Sequence, residues 1–510
     1  AKSSEALRSQ AGQLLEHLEQ EPDLNLKDLS YSLGTTRTHF ERRLVVQVKT
    51  KDELQASLEH YRDDGRTTAK ASLTPKENTE PVIAMLFSGQ GSQLAGMGHG
   101  LYEHSPIFKE ALDDICGHFG VHLEHRLDAI LFADPESEEA DLLHKTQYTQ
   151  PALFAIEVAL YRLFESWGIL PQYVMGHSVG ELTAAHVAGI FSLEDACKLV
   201  AKRGSLMDAI SDQGSMASIQ ASEEMTREAI VQYKLEKQVN IAGLNAPTQT
   251  VISGDSKKVD ELVSHFEEKN IKATQLTVSH AFHSHHMDAM LDAFRGVAES
   301  ITYHPPKIAL ISNVSGQRAG EEVTTADYWV EHVRRPVRFL DGMKTLEKAN
   351  VNTFFELGPQ PVLCGMGANC LTEDTNASFL PTLRKGKDDF EMTLKGLGEL
   401  HVRGADVNWE AFFEPYGGKK VALPTYAFQR KRYWLDAPKM RGGAQEGDSV
   451  FWQTILEQDV AKAEALLSST EEERSSLEHI LPRLRAWHAS ANEKEKIKGW
   501  CYEPSWHYAP

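Results

Sequence analysis

At about 150 residues per domain, a chain of 510 residues is expected to hold three to four domains rather than one small module. Hydrophobic residues at 41%, charged residues at 25%, and 35 Gly with 20 Pro place it in the globular range and outside the disordered and collagen-like ones. Its 53 Lys and Arg against 73 Asp and Glu give a formal charge of −20, which argues against nucleic-acid binding through a generally basic surface.

The chain begins on Ala rather than Met and runs at once into helix-like sequence, so a segment of a longer polypeptide is expected. Ala6, Leu7, Ala11, Leu14, Leu15 and Leu18 recur at helical spacing over 6–18, RLVVQV at 43–48 reads as a strand, and a charged amphipathic helix runs from Asp52 to about Tyr61. These make a small α/β unit. Residues 63–80 are polar, hold Pro75 and read as a linker, with a domain boundary near 80. VIAMLF at 82–87 is a short continuous apolar run, the pattern of a strand buried on both faces, and it ends in the glycine-bearing loop SGQGSQ at 88–93. A long helix is predicted from Pro151, which a first turn tolerates, to Trp167, with Leu153, Ile156, Leu160 and Leu163 at helical spacing. YVMGHSVGELTAAHVAGIF then repeats strand, sharp turn and helix. The core is therefore predicted to be α/β, an α/β-hydrolase-like arrangement around a parallel sheet.

Between 213 and 280 the order is strand (SMASIQ), helix (223–234), strand (VNIAGLN), strand (QTVISGD), helix (257–269) and strand (ATQLTVS), the βαββαβ signature of a ferredoxin-like subdomain. Inserted beside the core, it would form the second wall of a cleft. IALISNVSG (308–316) and TFFELGP (353–359) return to the core as strands. A helix from Asp388 to Leu400, a turn at Gly417 and Gly418, the segment VALPTYAFQRKRYWLD and a second linker at 437–448 follow. The remainder carries amphipathic helices around Trp452–Leu467 and Leu477–Trp487, then Trp500, Tyr502, Trp506 and Tyr508 on one parity, the alternation of a half-buried strand whose partner would lie in a further domain.

Gly176, Ser178 and Gly180 in GHSVGE form a GxSxG pattern, in which a strained strand-to-helix turn lifts a serine Oγ clear of the sheet. The apolar YVM before it and ELTAAHVA after it suit a nucleophile, with an ordinary turn as the alternative. A serine hydroxyl needs a base, and His280, His283, His285 and His286 in HAFHSHHM are the candidates. Three readings stand open for them: a solvated polar loop, a zinc site without the usual HExxH or carboxylate pair, or one ring facing Ser178 at the subdomain junction, which their place after the last inserted strand favours. The oxyanion of serine attack needs fixed N–H donors. The residue after the nucleophile, Val179, supplies one, and SGQGSQ is the natural source of a second, since it lacks the lysine of a phosphate-binding turn. Arg203 in KRGSLM is either a solvated charge or a fork for a substrate carboxylate. Cys116, Cys197, Cys364, Cys370 and Cys501 show no CxxC spacing, so a reducing compartment is expected and neither disulfides nor a thiolate metal site. No 18-residue stretch is apolar and uncharged enough to span a bilayer, and the expected location is cytoplasmic, with no membrane partner.

GQGSQ (89–93), TQPAL (149–153), GHSVGE (176–181), the KRGSLM arginine, HAFHSHHM (280–287) and LGPQPVL (357–363), in that order, closely resemble the acyltransferase domain of modular type I polyketide synthases, related to malonyl-CoA:acyl carrier protein transacylases. The resemblance implies a ketosynthase-acyltransferase linker domain (1–75), a large subdomain in two parts (81–212 and 281–375) around the small one (213–280), a post-acyltransferase linker (376–436) and the start of a ketoreductase-type region (448–510). It implies that Ser178 takes a malonyl group from malonyl-CoA and passes it to the phosphopantetheine thiol of an acyl carrier protein. His283 would be base and then acid, oriented by a backbone carbonyl near RRPVRF (334–339), while His285 and His286 have no assigned role. Gln90 and Val179 would supply the oxyanion N–H groups, Arg203 would pair with the malonyl carboxylate, and Gln150 and His177 would line the site. Phe282 in HAFH, with Val179 after the serine, resembles malonyl-selective rather than methylmalonyl-selective members. No metal and no tightly bound cofactor are expected. Partners would be the carrier protein and adjacent ketosynthase and ketoreductase domains, with no nucleic acid. The alternatives are a serine hydrolase or thioesterase of another class, or a non-catalytic scaffold segment.

Overall fold

Ser3, whose side chain accepts the Ala6 N–H, starts the helix Ser4–Gln20, and Thr50 does the same for Lys51–Asp64, which ends on Gly65 in a left-handed conformation. Both lie where the sequence predicts them. The computed structural model, which describes residues 1–68, 71–75, 80–134, 136–211, 214–372, 375–430 and 446–498, adds the helix Leu26–Thr35 between them. Leu15, Leu18, Leu29, Leu54 and Leu58 form their common core. The strand predicted over 43–48 shortens to β1 (Leu44–Val46) and pairs antiparallel with β2 (Ala71–Leu73). β2 corrects the reading of 63–80 as a linker: three residues are too few to show a period, yet Ser72 is buried and its hydroxyl donates to Glu399 at 2.6 Å.

β3 (Ile83–Phe87) and β4 (Tyr173–Gly176) open the main core. The chain leaves it for β5 (Ser215–Ile219), β6 (Val239–Ala246), β7 (Gln249–Gly254) and β8 (Ala273–Gln275), then returns as β9 (Ala309–Ile311), β10 (Thr353–Leu357) and β11 (Ser378–Pro381). A fully parallel five-stranded sheet results, in the order β11-β10-β3-β4-β9. Every residue of β3 and β10 is buried, as a parallel sheet covered on both faces requires. Since the strands share one direction, the loops after β3 and β4 leave from the same edge, with Phe87 beside Gly176 in register. β11 is a second correction, because it places 378–381 inside the core sheet rather than in a linker beginning at 376.

The inserted strands pair antiparallel in the order β6-β7-β5-β8, which is the ferredoxin-like arrangement expected of βαββαβ. Its helices Glu223–Gln232 and Ser256–Glu268 bury Ile230, Val259, Leu262 and Phe266 against Ala217, Ile219 and Ile252. A third correction concerns the long helix, which runs from Thr146 to Ser166 and carries Pro151 inside it rather than in its first turn. An interior proline costs about 3 kcal/mol. Here unbroken burial from Tyr148 to Tyr161 outweighs that loss.

Residues 417–428 fold back over the N-terminal helices: Arg37 Nη2 donates to the carbonyls of Leu423 and Pro424, each at 3.0 Å, and the Lys2 N–H donates to the Tyr426 hydroxyl at 3.0 Å. Tyr433 and Trp434, in the basic stretch that follows, lie outside the described residues, as does the Trp500–Tyr508 alternation. The chain divides into two units, Ala1–Gln429 and Arg430–Pro510. The second holds the helices Glu446–Glu457, Val460–Leu467 and Arg474–Lys498 around Ile455, Ala463 and Leu481. Among the described residues no helix is long and apolar enough to cross a membrane.

Candidate active site

Leaving β4, the chain turns so sharply that Ser178 sits at φ +52° before the helix Gly180–Val187 begins. A Cβ on Gly180 would stand 2.2 Å from the Phe87 carbonyl oxygen, and one on Gly89 would stand 2.8 Å from that of His177. Glycine is what lets the turn and the SGQGSQ loop approach each other. Asn313, just past β9, braces the turn: its Oδ1 accepts the Ser178 N–H at 2.8 Å, its Nδ2 donates to the Gly176 carbonyl at 2.7 Å, and its own N–H donates to Glu181 Oε2 at 2.9 Å. Glu181 is wholly buried, also accepts from the Tyr328 hydroxyl, and lies 3.2 Å from His332 Nε2.

Ser178 Oγ lies 2.8 Å from His283 Nε2. Across the ring, Nδ1 donates to the Arg335 carbonyl at 2.8 Å, a bond that leaves Nε2 with its lone pair toward the serine hydroxyl. That carbonyl is free because Pro336 ends the helix Ala326–Arg334 and holds Arg335 extended, at φ −76° and ψ 154°. Val337 is then clamped to β6, its N–H donating to the Ala242 carbonyl at 2.9 Å and its carbonyl accepting from the Leu244 N–H at 2.8 Å. His283, at φ +55°, is a second non-glycine residue in the left-handed region, so both members of the pair sit on strained backbone. Burial, followed by electrostatic interaction with the Arg203 cation, holds its imidazole well below the ordinary histidine value, while the Arg335 carbonyl works the other way. The ring is neutral at pH 7.

Arg203, on the helix Leu193–Asp208, is 1% exposed and so is not a surface charge. Its Nη2 donates to Ser178 Oγ at 3.2 Å and its Nη1 to Gln150 Oε1 at 2.7 Å, while Nε has no partner among the described residues. No carboxylate there forms an ion pair with it. Burial pushes the guanidinium down to about 9, opposed by Glu181, and it stays cationic at neutral pH. A buried cation without its own anion is costly, and an anionic ligand would complete it. Gln150 is fixed from behind by a bond from its Nε2 to Met207 Sδ at 3.3 Å.

The backbone N–H groups of Gln90 and Val179 have no acceptor among the described residues. His177 Nε2 meets Asn245 Oδ1 at 3.0 Å, and Phe282 is buried in the main apolar core, its ring 6.0 Å from that of His280. Of the four clustered histidines only His283 reaches Ser178. His280 Nε2 meets the Ile210 carbonyl at 2.9 Å, and His285 and His286 share Asp255 Oδ1 at 3.1 and 3.0 Å. Residue patterns did not single out Asn313, Glu181 or Glu356. Glu356 accepts from the Ser88 hydroxyl at 3.2 Å and from the N–H groups of Leu363 and Cys364 at 2.8 and 2.7 Å, and Gln360 Nε2 donates to the Ser92 carbonyl at 3.2 Å. The LGPQPVL segment thereby braces the SGQGSQ loop. One local signal existed for Glu181, its place inside GHSVGE; a lone Asn or Glu at a strand end carries none.

Residues 84–407 match the family described as "Acyl transferase domain", and residues 1–58 match "CurL-like, PKS C-terminal". A PKS-NRPS hybrid synthetase of Aspergillus niger is 44% identical over 452 residues, covering 86% of this chain and 24% of that relative, so the chain spans about a quarter of its length. The crystal structure of the acyltransferase domain from the second module of the salinomycin polyketide synthase is 41% identical with a TM-score of 0.70, covering 84% of this chain and 98% of that one. A malonyl-CoA:acyl carrier protein transacylase of Xanthomonas oryzae is 30% identical with a TM-score of 0.56, covering 62% of this chain and 98% of that one.

Proposed function

The chain belongs to the acyl transferase domain family and is an acyltransferase, and from that premise we propose that it takes a malonyl group from malonyl-CoA onto Ser178 and passes it to the phosphopantetheine thiol of an acyl carrier protein in polyketide biosynthesis. Arg203 carries this reading. It is a buried cation that touches the nucleophile and has no carboxylate partner among the described residues. An acyl group ending in a carboxylate supplies the missing anion through a bidentate pair, and an acetyl group does not.

His283 Nε2 takes the Ser178 Oγ proton as that oxygen attacks the thioester carbonyl, and the Gln90 and Val179 N–H groups receive the oxyanion. Collapse breaks the carbon–sulfur bond, and the proton leaves His283 with the coenzyme A thiol. In the second half the carrier thiol gives its proton to His283, its sulfur attacks the malonyl ester, and the proton returns to Ser178 Oγ. Gln150 steadies the guanidinium and His177 lines the turn. Malonyl-CoA enters as substrate and no tightly bound cofactor takes part. The partners proposed are the carrier protein and adjacent ketosynthase and ketoreductase domains, in the cytoplasm. A hydrolase with a Ser-His-acid triad would need a carboxylate at His283 Nδ1, which here meets a carbonyl instead.

Incubation with malonyl-CoA followed by intact-mass measurement tests the reading. A malonyl ester should accumulate on the chain and be discharged by a phosphopantetheinylated carrier protein. Turnover to free malonate without an ester, or no labelling at all, would sink it.

The extender unit should be malonyl rather than methylmalonyl. We assign the filter to Phe282, the residue before the catalytic histidine in the chain, whose bulk would leave an α-methyl branch without room at a cost of about 1 to 3 kcal/mol, roughly 10- to 200-fold in kcat/KM. Phe282→Ser should narrow the malonyl-to-methylmalonyl ratio in competition assays about 10-fold. An unchanged ratio would leave Phe282 as a packing residue only.

A further inference from the structure

We propose that Thr146 is a positioning residue for acylation: its hydroxyl sets the loop carrying the Gln90 N–H against the segment carrying His283. The inference deepens the Ser178–His283 reading and rests on it. Thr146 is the first residue of the helix Thr146–Ser166 and is wholly buried. Its Oγ1 accepts from Gln90 Nε2 at 3.3 Å and lies 2.9 Å from Ser279 Oγ. With one lone pair taken by the amide, the hydroxyl proton is free to donate to Ser279, so one side chain joins the oxyanion loop to the residue four positions before His283.

The Thr146 backbone ties in the remaining side of the site. Its N–H donates at 3.0 Å to Oδ1 of Asp208, the last residue of the Arg203 helix. A Cβ on Gly204, the neighbour of Arg203, would stand 2.9 Å from the Thr146 carbonyl oxygen. Gln150, the partner of Arg203, lies one turn along the helix that Thr146 begins. Four pieces of the site thus converge on a residue that meets none of the reacting atoms.

Gln90 depends on it most. The residue is only half-buried, and among the described residues its side chain makes no hydrogen bond except the one to Thr146. Without that anchor the backbone alone holds the Gln90 N–H in place. An oxyanion donor acts in the transition state and not in the ground state, so its displacement lowers kcat and spares KM. A misplacement near 1 Å is worth about 100-fold.

Thr146→Val keeps the shape and removes the hydroxyl. In single-turnover malonyl-ester formation, read by rapid quench and intact mass, its rate should fall about 10- to 100-fold while the ester still reaches the wild-type amplitude and KM stays within about twofold. Thr146→Ser should restore the rate. Gln90→Ala cuts the same bond from the exposed side and should slow the reaction to a similar degree, and the double variant should be no slower than either single one. A wild-type rate in Thr146→Val, a wild-type rate with reduced amplitude, or a Thr146→Ser as slow as the valine variant would each overturn the proposal. If Thr146→Val does not fold, a wild-type rate in Gln90→Ala overturns it. Failure of the underlying dyad reading is distinct, since the wild-type chain itself would then form no ester at Ser178.

Discussion

Ser178→Ala is expected to abolish malonyl-ester formation, because the hydroxyl 2.8 Å from His283 Nε2 is the proposed nucleophile and alanine offers none in its place. Loading by radiolabelled malonyl-CoA on the wild-type timescale would disprove the assignment. His283→Ala should slow both loading and transfer by about 100- to 10,000-fold, the range for a general acid-base group. His285→Ala and His286→Ala should not, since those rings reach Asp255 rather than Ser178. The pH profile supplies an independent check. The proposed base acts when neutral, and burial together with the Arg203 cation holds His283 well below 6.5. On the acid side, kcat/KM for loading should therefore stay flat from neutrality down and fall as pH drops through a value below 6.5. An acid-limb inflection at or above the ordinary histidine value would show that another group is titrating.

Arg203→Ala is expected to have the second largest effect. Truncating one partner of a buried, hydrogen-bonded charge pair costs about 2 to 5 kcal/mol, roughly 30- to several-thousand-fold in kcat/KM for malonyl-CoA. Acetyl transfer loses no carboxylate contact. Because Nη2 also touches Ser178 Oγ, absolute rates will fall for both acyl groups, and the malonyl-to-acetyl ratio is the informative quantity. That ratio should narrow sharply in competition between the two thioesters. Arg203→Lys should recover only part of it, since an ammonium keeps the charge but lacks the planar fork. A ratio unchanged by either substitution would remove Arg203 from the acyl end of the site.

Legibility of the fold followed the density of apolar residues. VIAMLF could be read because every position of β3 is buried, and the βαββαβ insert because strand and helix periods alternate over enough residues to register. β2 and β11 could not. Each is three or four residues long and exists because a neighbouring strand, β1 or β10, offers an open edge, which is a property of the partner. Pro151 misled for a related reason. Its local preference is for a first turn, and packing on every side of the helix overrode it.

By itself the sequence determined the α/β alternation, the inserted subdomain and the GxSxG elbow, because backbone preferences and burial periods act over a few neighbouring residues. By residue type the four histidines of HAFHSHHM were equivalent, and only the resemblance singled out His283. Tertiary structure alone decided that His283 meets a serine 105 residues away, that Asn313 holds the Ser178 N–H across 135 residues, and that Arg203 is buried with no partner for Nε among the described residues. The tautomer of an imidazole, the cost of a buried guanidinium and the aim of an N–H depend on which groups folding brings within about 3 Å, and that distance bears no relation to spacing along the chain.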